Sequence, residues 1–177
     1  FKALLFLGAG SVIHALSDEQ DLRNMGGIWR KVPVTYTMMW IGSLALAGFP
    51  FFAGYYSKDM ILEAAYAAHS GVGSFAFVMG CLAAFLTAFY SWRLLIMAFH
   101  GKSRASADVM SHVHESPLVM TVPLLLLAIG AIFSGWLGYE LFVGRHWQQF
   151  WGDSIFILPT NAAMENAHHV PTWVKLL

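Results

Sequence analysis

The sequence has few charged residues and a single cysteine. Only 11% of its 177 residues are charged, against 58% that are hydrophobic, and the mean hydropathy is +0.59. Soluble domains carry about 25% charged residues, so this composition excludes an ordinary soluble domain and predicts an integral membrane protein. Ten basic and ten acidic residues cancel, which leaves no net charge to attract nucleic acid. Cys81 has no second cysteine with which to form an intrachain disulfide.

Motifs that bind nucleotides, redox groups or metals are missing as well. The sequence has no Gly-x-Gly-x-x-Gly, no P-loop and no Cys-x-x-Cys pair for an iron–sulfur cluster. His112, His114 and Glu115 resemble part of a metal site, as do His168 and His169, but neither group has the spacing or the further ligands of a defined site. We interpret them as solvated loop residues. We therefore expect no cofactor and no metal in this chain.

What the chain does contain is hydrophobic segments of helical length, at about residues 1–16, 33–69, 73–99 and 117–138. About 20 apolar residues span a bilayer as a helix. The predicted fold class is therefore all-α: a polytopic transmembrane helix bundle with about four segments, of which one is discontinuous. We assign residues 1–138 to this core. Residues 139–177 are rich in tryptophan and polar residues, and we expect an interfacial loop on the periplasmic side that leads to a further helix.

The ends of the sequence also carry an expectation. The chain begins with Phe1 inside a hydrophobic segment, with no charged region before it, so no signal peptide is predicted. Its last residues read as the approach to another hydrophobic helix. We therefore expect an internal fragment of a longer protein.

The second hydrophobic segment is too long for one straight helix. At 1.5 Å per residue, residues 33–69 would extend roughly 55 Å, against a hydrocarbon core of about 30 Å. Two crossings would need about 40 residues and a turn, so a single crossing broken near its middle fits best. Pro50, with Gly48 and Gly54 around it, supplies the break. We expect Ser57 to cap the second half-helix, which would place Lys58 and Asp59 in its first turn.

The charges of the loops support this choice. With one broken crossing, the 17–32 and 100–116 loops share one side of the membrane and contain five of the basic loop residues: Arg23, Arg30, Lys31, Lys102 and Arg104. Two crossings would separate these groups and remove the asymmetry. The positive-inside rule therefore assigns both loops to the cytoplasm and the 139–170 loop to the opposite side.

Lys58 is the leading candidate for function. A lysine at membrane depth is costly and is usually retained where it faces a protein interior or a wet cavity and moves ions or protons. The alternative is a lysine that snorkels from an interfacial turn, but about twelve residues, roughly 18 Å of helix, separate Lys58 from the turn at 70–73. Asp59 beside it can exchange protons with it. Glu63 lies four residues further on, so the two carboxylates share a helical face, either as a proton exit or as a solvated edge.

Lys2 and His14 are further candidates for a proton relay. On its own, Lys2 is equally compatible with a residue flanking the first helix and with a buried relay about 20 Å from the cytoplasmic end. His14 titrates near neutral pH and can pass protons, although histidines at helix ends are more often interfacial.

Three motifs carry a resemblance to a known family. They are Phe1-Lys2-Ala3-Leu4-Leu5-Phe6-Leu7, Asp21-Leu22-Arg23-Asn24-Met25-Gly26-Gly27 and the segment from Gly48-Phe49-Pro50 to Ser57-Lys58-Asp59. The order of these motifs along the chain and the number of matching residues resemble those of the antiporter-like L subunits of proton-pumping NADH:quinone oxidoreductase, respiratory complex I. The resemblance covers nearly the whole chain and extends through Ala88-Phe89-Tyr90-Ser91-Trp92-Arg93.

The resemblance implies a specific function. Lys2 matches a lysine in the family's buried proton-transfer chain. Lys58, with Asp59 beside it, matches the lysine of a broken helix at the last relay before release. The implied partners are protons, the lipid bilayer and other membrane-arm subunits of complex I, and the implied location is a bacterial inner membrane or, for an organellar protein, the mitochondrial inner membrane. NADH oxidation and quinone reduction would occur elsewhere in the complex.

Two other functions remain open from the sequence. The large subunit of a multisubunit Na⁺/H⁺ antiporter shares the same core and both lysines. A structural membrane scaffold would tolerate replacement of Lys58 without loss of proton pumping.

Overall fold

The computed structural model describes residues 1–158, 161 and 163–175, and this part of the chain is helical with no strand. The predicted all-α fold class is confirmed. Residues 159, 160, 162, 176 and 177 of the predicted 139–177 segment lie outside the described residues. The α-helices are α1 Lys2–Ala15, α2 Pro33–Ala47, α3 Ala53–Ala67, α4 Gly71–Phe99, α5 Ala107–His112, α6 Leu118–Phe142, α7 Trp147–Trp151, α8 Ala163–Ala167 and α9 Thr172–Lys175.

Two of these helices are long and apolar enough to cross a membrane, α4 with 29 residues and α6 with 25. Helix α6 continues to Phe142, past residue 138 at which we divided the chain. Helix α4 exposes a row of large apolar side chains: Val72, Phe75, Val78, Met79, Leu82, Phe85, Leu86, Phe89 and Ile96. Exposed apolar surface on this scale suits lipid or another hydrophobic partner rather than water.

Helices α2 and α3 form one broken path along α4. Each has 15 residues, or about 22 Å of helix, too short to span the hydrocarbon core alone. Near the start of α4, Gly80 packs against Leu62 of α3. Further along α4, the Trp92 ring lies 5.0 Å from that of Trp40 in α2. Since α4 meets α3 first and α2 later, the two half-helices continue in one direction, and the predicted broken helix is confirmed.

The break lies between residues 48 and 52. Gly48 ends α2 with φ of 83°, a left-handed conformation that glycine adopts without the steric cost of a Cβ. Gly54, in the first turn of α3, lies so close to α2 that a Cβ there would be 1.7 Å from the Ala45 carbonyl oxygen. The break is therefore a tight junction in which the backbones of the two half-helices touch.

The predicted cap of the second half-helix is wrong. Helix α3 begins at Ala53, so Ser57 lies inside it, and the Ser57 hydroxyl donates to the Ala53 carbonyl oxygen at 3.2 Å. The residue that precedes the helix is Phe52, whose side chain makes no capping hydrogen bond. Lys58 consequently lies in the second turn of α3 rather than the first. The chain resumes the helix as soon as Pro50 is passed, because no residue from 53 onward opposes helical angles.

The two basic loops lie at the same end of the bundle, as predicted. The backbone amide of Trp29 donates to the Phe99 carbonyl oxygen at 3.3 Å. The Arg104 guanidinium donates to the carbonyl oxygens of Arg23 at 2.8 Å and Leu22 at 3.1 Å. Hydrogen bonds of this kind require the 17–32 and 100–116 loops to be neighbours, which two crossings between residues 33 and 69 would prevent.

An exposed ion pair strengthens the first of these loops. The Arg23 guanidinium contacts the Asp21 carboxylate at 2.6 Å, and this hydrogen bond is the main reason that the pKa of Asp21 falls to about 2. The carboxylate also accepts from the Arg23 amide at 2.9 Å and so begins the 3₁₀ turn Leu22–Asn24. Arg23 is thus fixed to the loop by its own neighbour.

The opposite end of α3 is covered by the C-terminal helices. A hydrophobic cluster joins α3 to this region through Met60, Ala67, Ala167, Val170 and Val174. Because α8 and α9 pack against the second half of α3, they lie at the end of the bundle away from the two basic loops. This packing brings Lys175 next to the face of α3 that bears Lys58 and Asp59.

Candidate functional site

Lys58 is the residue around which the site is built. Its side chain is half-buried, its ammonium nitrogen is buried, and that nitrogen has no hydrogen-bond partner within the described part of the chain. The side-chain stem runs past the break, since a Cβ on Gly48 would lie 3.7 Å from the Lys58 Cδ. A buried amine without a protein partner is costly, and in a membrane protein such a group marks an ion or proton pathway.

Lys58 lines a cavity of about 140 Å³ that we name the break cavity. It is lined by the residues of the break and by side chains of α3, α4 and α9, among them Gly48, Pro50, Lys58, Asp59, Ala84 and Lys175. A water molecule occupies about 30 Å³ of liquid and needs two to four polar partners. The break cavity therefore has both the volume and the polar groups to hold several waters beside the Lys58 side chain.

A second cavity, of about 280 Å³, shares part of its lining with the break cavity, and we name it the carboxylate cavity. Its lining includes Tyr55, Asp59, Glu63, Tyr139, His168 and Lys175. Tyr55, Asp59 and Lys175 line both cavities. Polar side chains thus connect Lys58 to Asp59 and then, one helical turn or about 6 Å further along α3, to Glu63.

Asp59 and Glu63 are both half-buried, which fits either a proton exit or a partly solvated edge. The two carboxylates line one cavity and share one face of α3. An amine followed by two carboxylates along a wet path can pass a proton from one group to the next, because each can hold the proton and release it. The arrangement is chemically suited to proton transfer along α3.

The structure does not bring the two predicted lysines together. Lys2 is exposed on the first turn of α1 and lines none of the cavities described for residues 1–158, 161 and 163–175. Helix α1 packs against α2 and α6, and these two helices also contact α3. The relay role predicted for Lys2 therefore depends on a path around or between α2 and α6, and it remains a prediction.

His14 lies in the last turn of α1 and is exposed. Its ring centre is 6.5 Å from that of His114, in an edge-to-face arrangement. Both rings are at the end of the bundle that carries the basic loops. His14 thus has a second titratable group as its neighbour, and its predicted part in proton relay stays a prediction.

A buried polar network at this end was missed by the sequence interpretation. Within it, the Ser11 hydroxyl lies 2.8 Å from that of Thr35 and 2.5 Å from that of Ser116. The Glu115 carboxylate accepts from the Thr35 hydroxyl at 2.5 Å and from the Val34 amide at 2.7 Å. Glu115 therefore caps the N-terminus of α2, where a negative charge satisfies free amides and interacts favourably with the helix dipole.

A sequence signal for this network does exist. Helix α2 begins with Pro33 after Val32, and neither side chain can accept a hydrogen bond from the first amides of the helix. An acceptor from another segment was therefore required, and Glu115 is a carboxylate just before α6. We interpreted it as a solvated loop residue, and that interpretation is wrong.

Comparison with known proteins gives the same family as the residue pattern. The family described as NADH:quinone oxidoreductase/Mrp antiporter, TM, matches residues 1–87. Among similar proteins, NADH-ubiquinone oxidoreductase chain 5 of Phytophthora infestans is 52% identical over the whole chain, and that of Marchantia polymorpha is 49% identical. The Arabidopsis thaliana protein of the same name is 47% identical.

The present chain spans 26% of the length of each of these relatives. Every residue of the chain falls within the matched region, so the likeness covers the broken helix, both basic loops and the C-terminal helices. Over its whole length the chain is thus similar to NADH-ubiquinone oxidoreductase chain 5 of these organisms, and over residues 1–87 to the NADH:quinone oxidoreductase/Mrp antiporter family of membrane proteins.

Proposed function

We propose that this chain is a proton-translocating part of a chain 5 subunit of NADH:quinone oxidoreductase. In this role it crosses an inner membrane, bacterial or mitochondrial, about four times: through α1, the α2–α3 pair, α4 and α6. Its partners are the other membrane-arm subunits, lipid and protons. Redox chemistry takes place in other subunits, and the role requires no cofactor in this chain.

The observation that carries the proposal is the buried amine of Lys58 at the junction of two half-helices. Its nitrogen has no protein partner among the described residues, and Lys58 and Asp59 line one cavity while Asp59 and Glu63 line a second. Helix breaks at membrane depth are tolerated where the freed backbone is buried in protein or lines a wet cavity, as in transporters. A purely structural helix would have no use for a cation at this position.

In the proposed mechanism, protonated Lys58 gives its proton through water in the break cavity to the Asp59 carboxylate. The amine then becomes neutral and can accept a new proton from the uptake side. Asp59 passes the proton to Glu63, from which it leaves at the end of the bundle that carries α8 and α9. Lys2 and His14 belong to the uptake part of the path, which reaches Lys58 around α2 and α6.

The alternative is a Na⁺/H⁺ antiporter subunit of the same family. The family description includes Mrp antiporters, whereas the relatives that match the full chain carry the name NADH-ubiquinone oxidoreductase chain 5. The full-length likeness favours the NADH:quinone oxidoreductase subunit. Pumping that is driven by NADH and is independent of Na⁺ distinguishes the two.

The test is Lys58→Met in the complete enzyme complex, compared with Lys102→Met in the exposed loop after α4. Inverted membrane vesicles are supplied with NADH, and both their acidification and their NADH oxidation are measured. We expect the Lys58 variant to assemble but to lose most of its acidification, because a thioether cannot carry a proton. The Lys102 variant should pump as the unmodified enzyme does. An assembled Lys58→Met complex with normal acidification would refute the proposal.

A further inference from the structure

Lys175 has no role in the proposed proton path from Lys58 to Glu63, yet it lines both the break cavity and the carboxylate cavity. It is the last residue of α9, is half-buried, and donates a hydrogen bond from its ammonium to the His168 carbonyl oxygen at 3.0 Å. Within the described residues it forms no ion pair with Asp59 or Glu63 inside 4 Å. The positively charged Lys175 thus lies near the Asp59 and Glu63 carboxylates, while its hydrogen bond goes to the neutral carbonyl oxygen of His168.

Helix α9 packs on α3, and this explains why the Lys175 side chain can reach the site. Val174 is buried in the hydrophobic cluster that also contains Met60 and joins α9 to α3, and this packing fixes the backbone of α9 beside the site. The Lys175 stem has several rotatable bonds and its ammonium is a compact point charge. Because Lys175 lines the same cavity as Asp59 and Glu63, rotation of its side chain is the movement that would bring its ammonium to a carboxylate while α9 stays in place.

The electrostatic consequence depends on where the ammonium lies. An ammonium close to a carboxylate favours the charged form of that carboxylate and so promotes loss of its proton. In a partly buried site this attraction is several times stronger than in water. The other titratable groups that line the two cavities are Lys58, Tyr55, Tyr56, Tyr139 and His168. Of these, Lys58 is the proton donor in the proposed mechanism.

We propose that Lys175 is a positioning residue that governs proton release from Asp59 and Glu63. With its ammonium on the His168 carbonyl, the carboxylates accept the proton that arrives from Lys58. When the ammonium moves to the carboxylates, their charged form is stabilised and the proton leaves for the outer solvent. No bond other than those to the proton changes, and Lys175 keeps its own charge throughout. This inference rests on the proposed function.

The sharpest test is Lys175→Gln, because glutamine keeps a donor for the His168 carbonyl and removes the charge. Lys175→Arg keeps the charge, and Arg145→Met removes an exposed cation from the same end of the bundle. Each variant is made in the complete complex and measured in inverted vesicles with NADH. The pH on the side where protons are released is varied separately from the pH on the uptake side.

We expect Lys175→Gln to slow acidification about tenfold, the change produced by a free-energy difference of about 1.4 kcal/mol. Because the proton is then held too tightly by the carboxylates, a higher pH on the release side should restore much of the rate. Lys175→Arg, which keeps the charge, should retain the release-side pH profile of the unmodified enzyme, and Arg145→Met should behave as the unmodified enzyme does. In a double variant with Glu63→Gln, the two effects should not add, because both act on the same proton.

Two results would overturn the inference while the proposed function stands. One is a Lys175→Gln complex with the unmodified rate and pH profile, in vesicles where Lys58→Met abolishes acidification. The other is a loss that is equal at every release-side pH, which would indicate that Lys175 only holds α9 in place. Normal acidification by Lys58→Met would refute the proposed function and this inference together.

Discussion

Gly54→Ala is the most direct test of the junction that holds Lys58. A Cβ at position 54 would lie 1.7 Å from the Ala45 carbonyl oxygen and 2.9 Å from its carbonyl carbon. Both atoms belong to the backbone, so no side chain can rotate away to make room. Real Cβ atoms essentially never come closer than 3.0 Å to another heavy atom. Helix α3 must therefore move about 1.3 Å away from the end of α2.

Two effects set the size of the change. Overpacking a tight contact costs about 1–3 kcal/mol, and replacing glycine by alanine inside a helix recovers up to about 1 kcal/mol. We expect a net destabilisation of about 1–2 kcal/mol. The functional effect is larger than the effect on stability, because Lys58 lies one turn after Gly54 and moves with it. A displacement of about 1 Å at a reacting group can cost 100-fold in rate, and we expect at least a tenfold loss of acidification.

The measurement compares the thermal stability of the assembled complex with NADH-driven acidification of inverted vesicles. Gly130→Ala in α6 is the matched control, since a Cβ there meets nothing within 4 Å. It makes the same chemical change in a helix but leaves the junction intact. If Gly54→Ala matched Gly130→Ala in both stability and acidification, the tight junction would have no part in placing Lys58, and the reasoning would fail.

Two further predictions concern the end of the bundle that carries the basic loops. Glu115→Ala should destabilise the protein by about 1–3 kcal/mol in thermal unfolding, because the first amides of α2 and the Thr35 hydroxyl lose their acceptor. The control Asp108→Ala removes an exposed carboxylate and should leave thermal unfolding unchanged. Arg104→Ala should free the 17–32 loop from the loop after α4, because it removes hydrogen bonds that contribute about 1 kcal/mol to holding the two loops together. Protease should then cleave the 17–32 loop roughly fivefold faster. The control Lys102→Ala should leave the rate of cleavage unchanged.

The sequence was sufficient for the parts of the fold that depend on length and backbone chemistry. Residues 33–69 are too long for one straight helix across the bilayer and too short for two crossings, which predicts one broken crossing. Gly48 and Pro50 indicate where the break lies. The structure confirms the break between the two half-helices at residues 48–52, and the single crossing remains a prediction. A cap at Ser57 predicts that the second half-helix begins at Lys58, five residues after its observed start at Ala53. A serine inside a helix can instead donate to a carbonyl of the preceding turn, as Ser57 does.

The companions of Lys58 were harder to predict, because they depend on contacts between distant segments. Asp59 and Glu63 follow from helical spacing, and the sequence placed them on one face. Lys175 comes from a helix of four residues, 117 positions along the chain from Lys58, and no local pattern indicates that it packs there. Glu115 caps α2 from 81 residues away from Val34. Long-range positions of this kind are set by tertiary packing, which periodicity and propensity do not describe.

The rigidity of the junction also determines which part of the site can move. At Gly54 the backbones of α2 and α3 already touch, so the two half-helices cannot close further on Lys58. The opposite face of α3 is fixed by the cluster around Met60 and Val174. Movement is therefore left to side chains: the Lys58 amine in the break cavity and the Lys175 ammonium between its carbonyl partner and the carboxylates. Proton transfer at this site depends on small movements of two lysines between fixed helices.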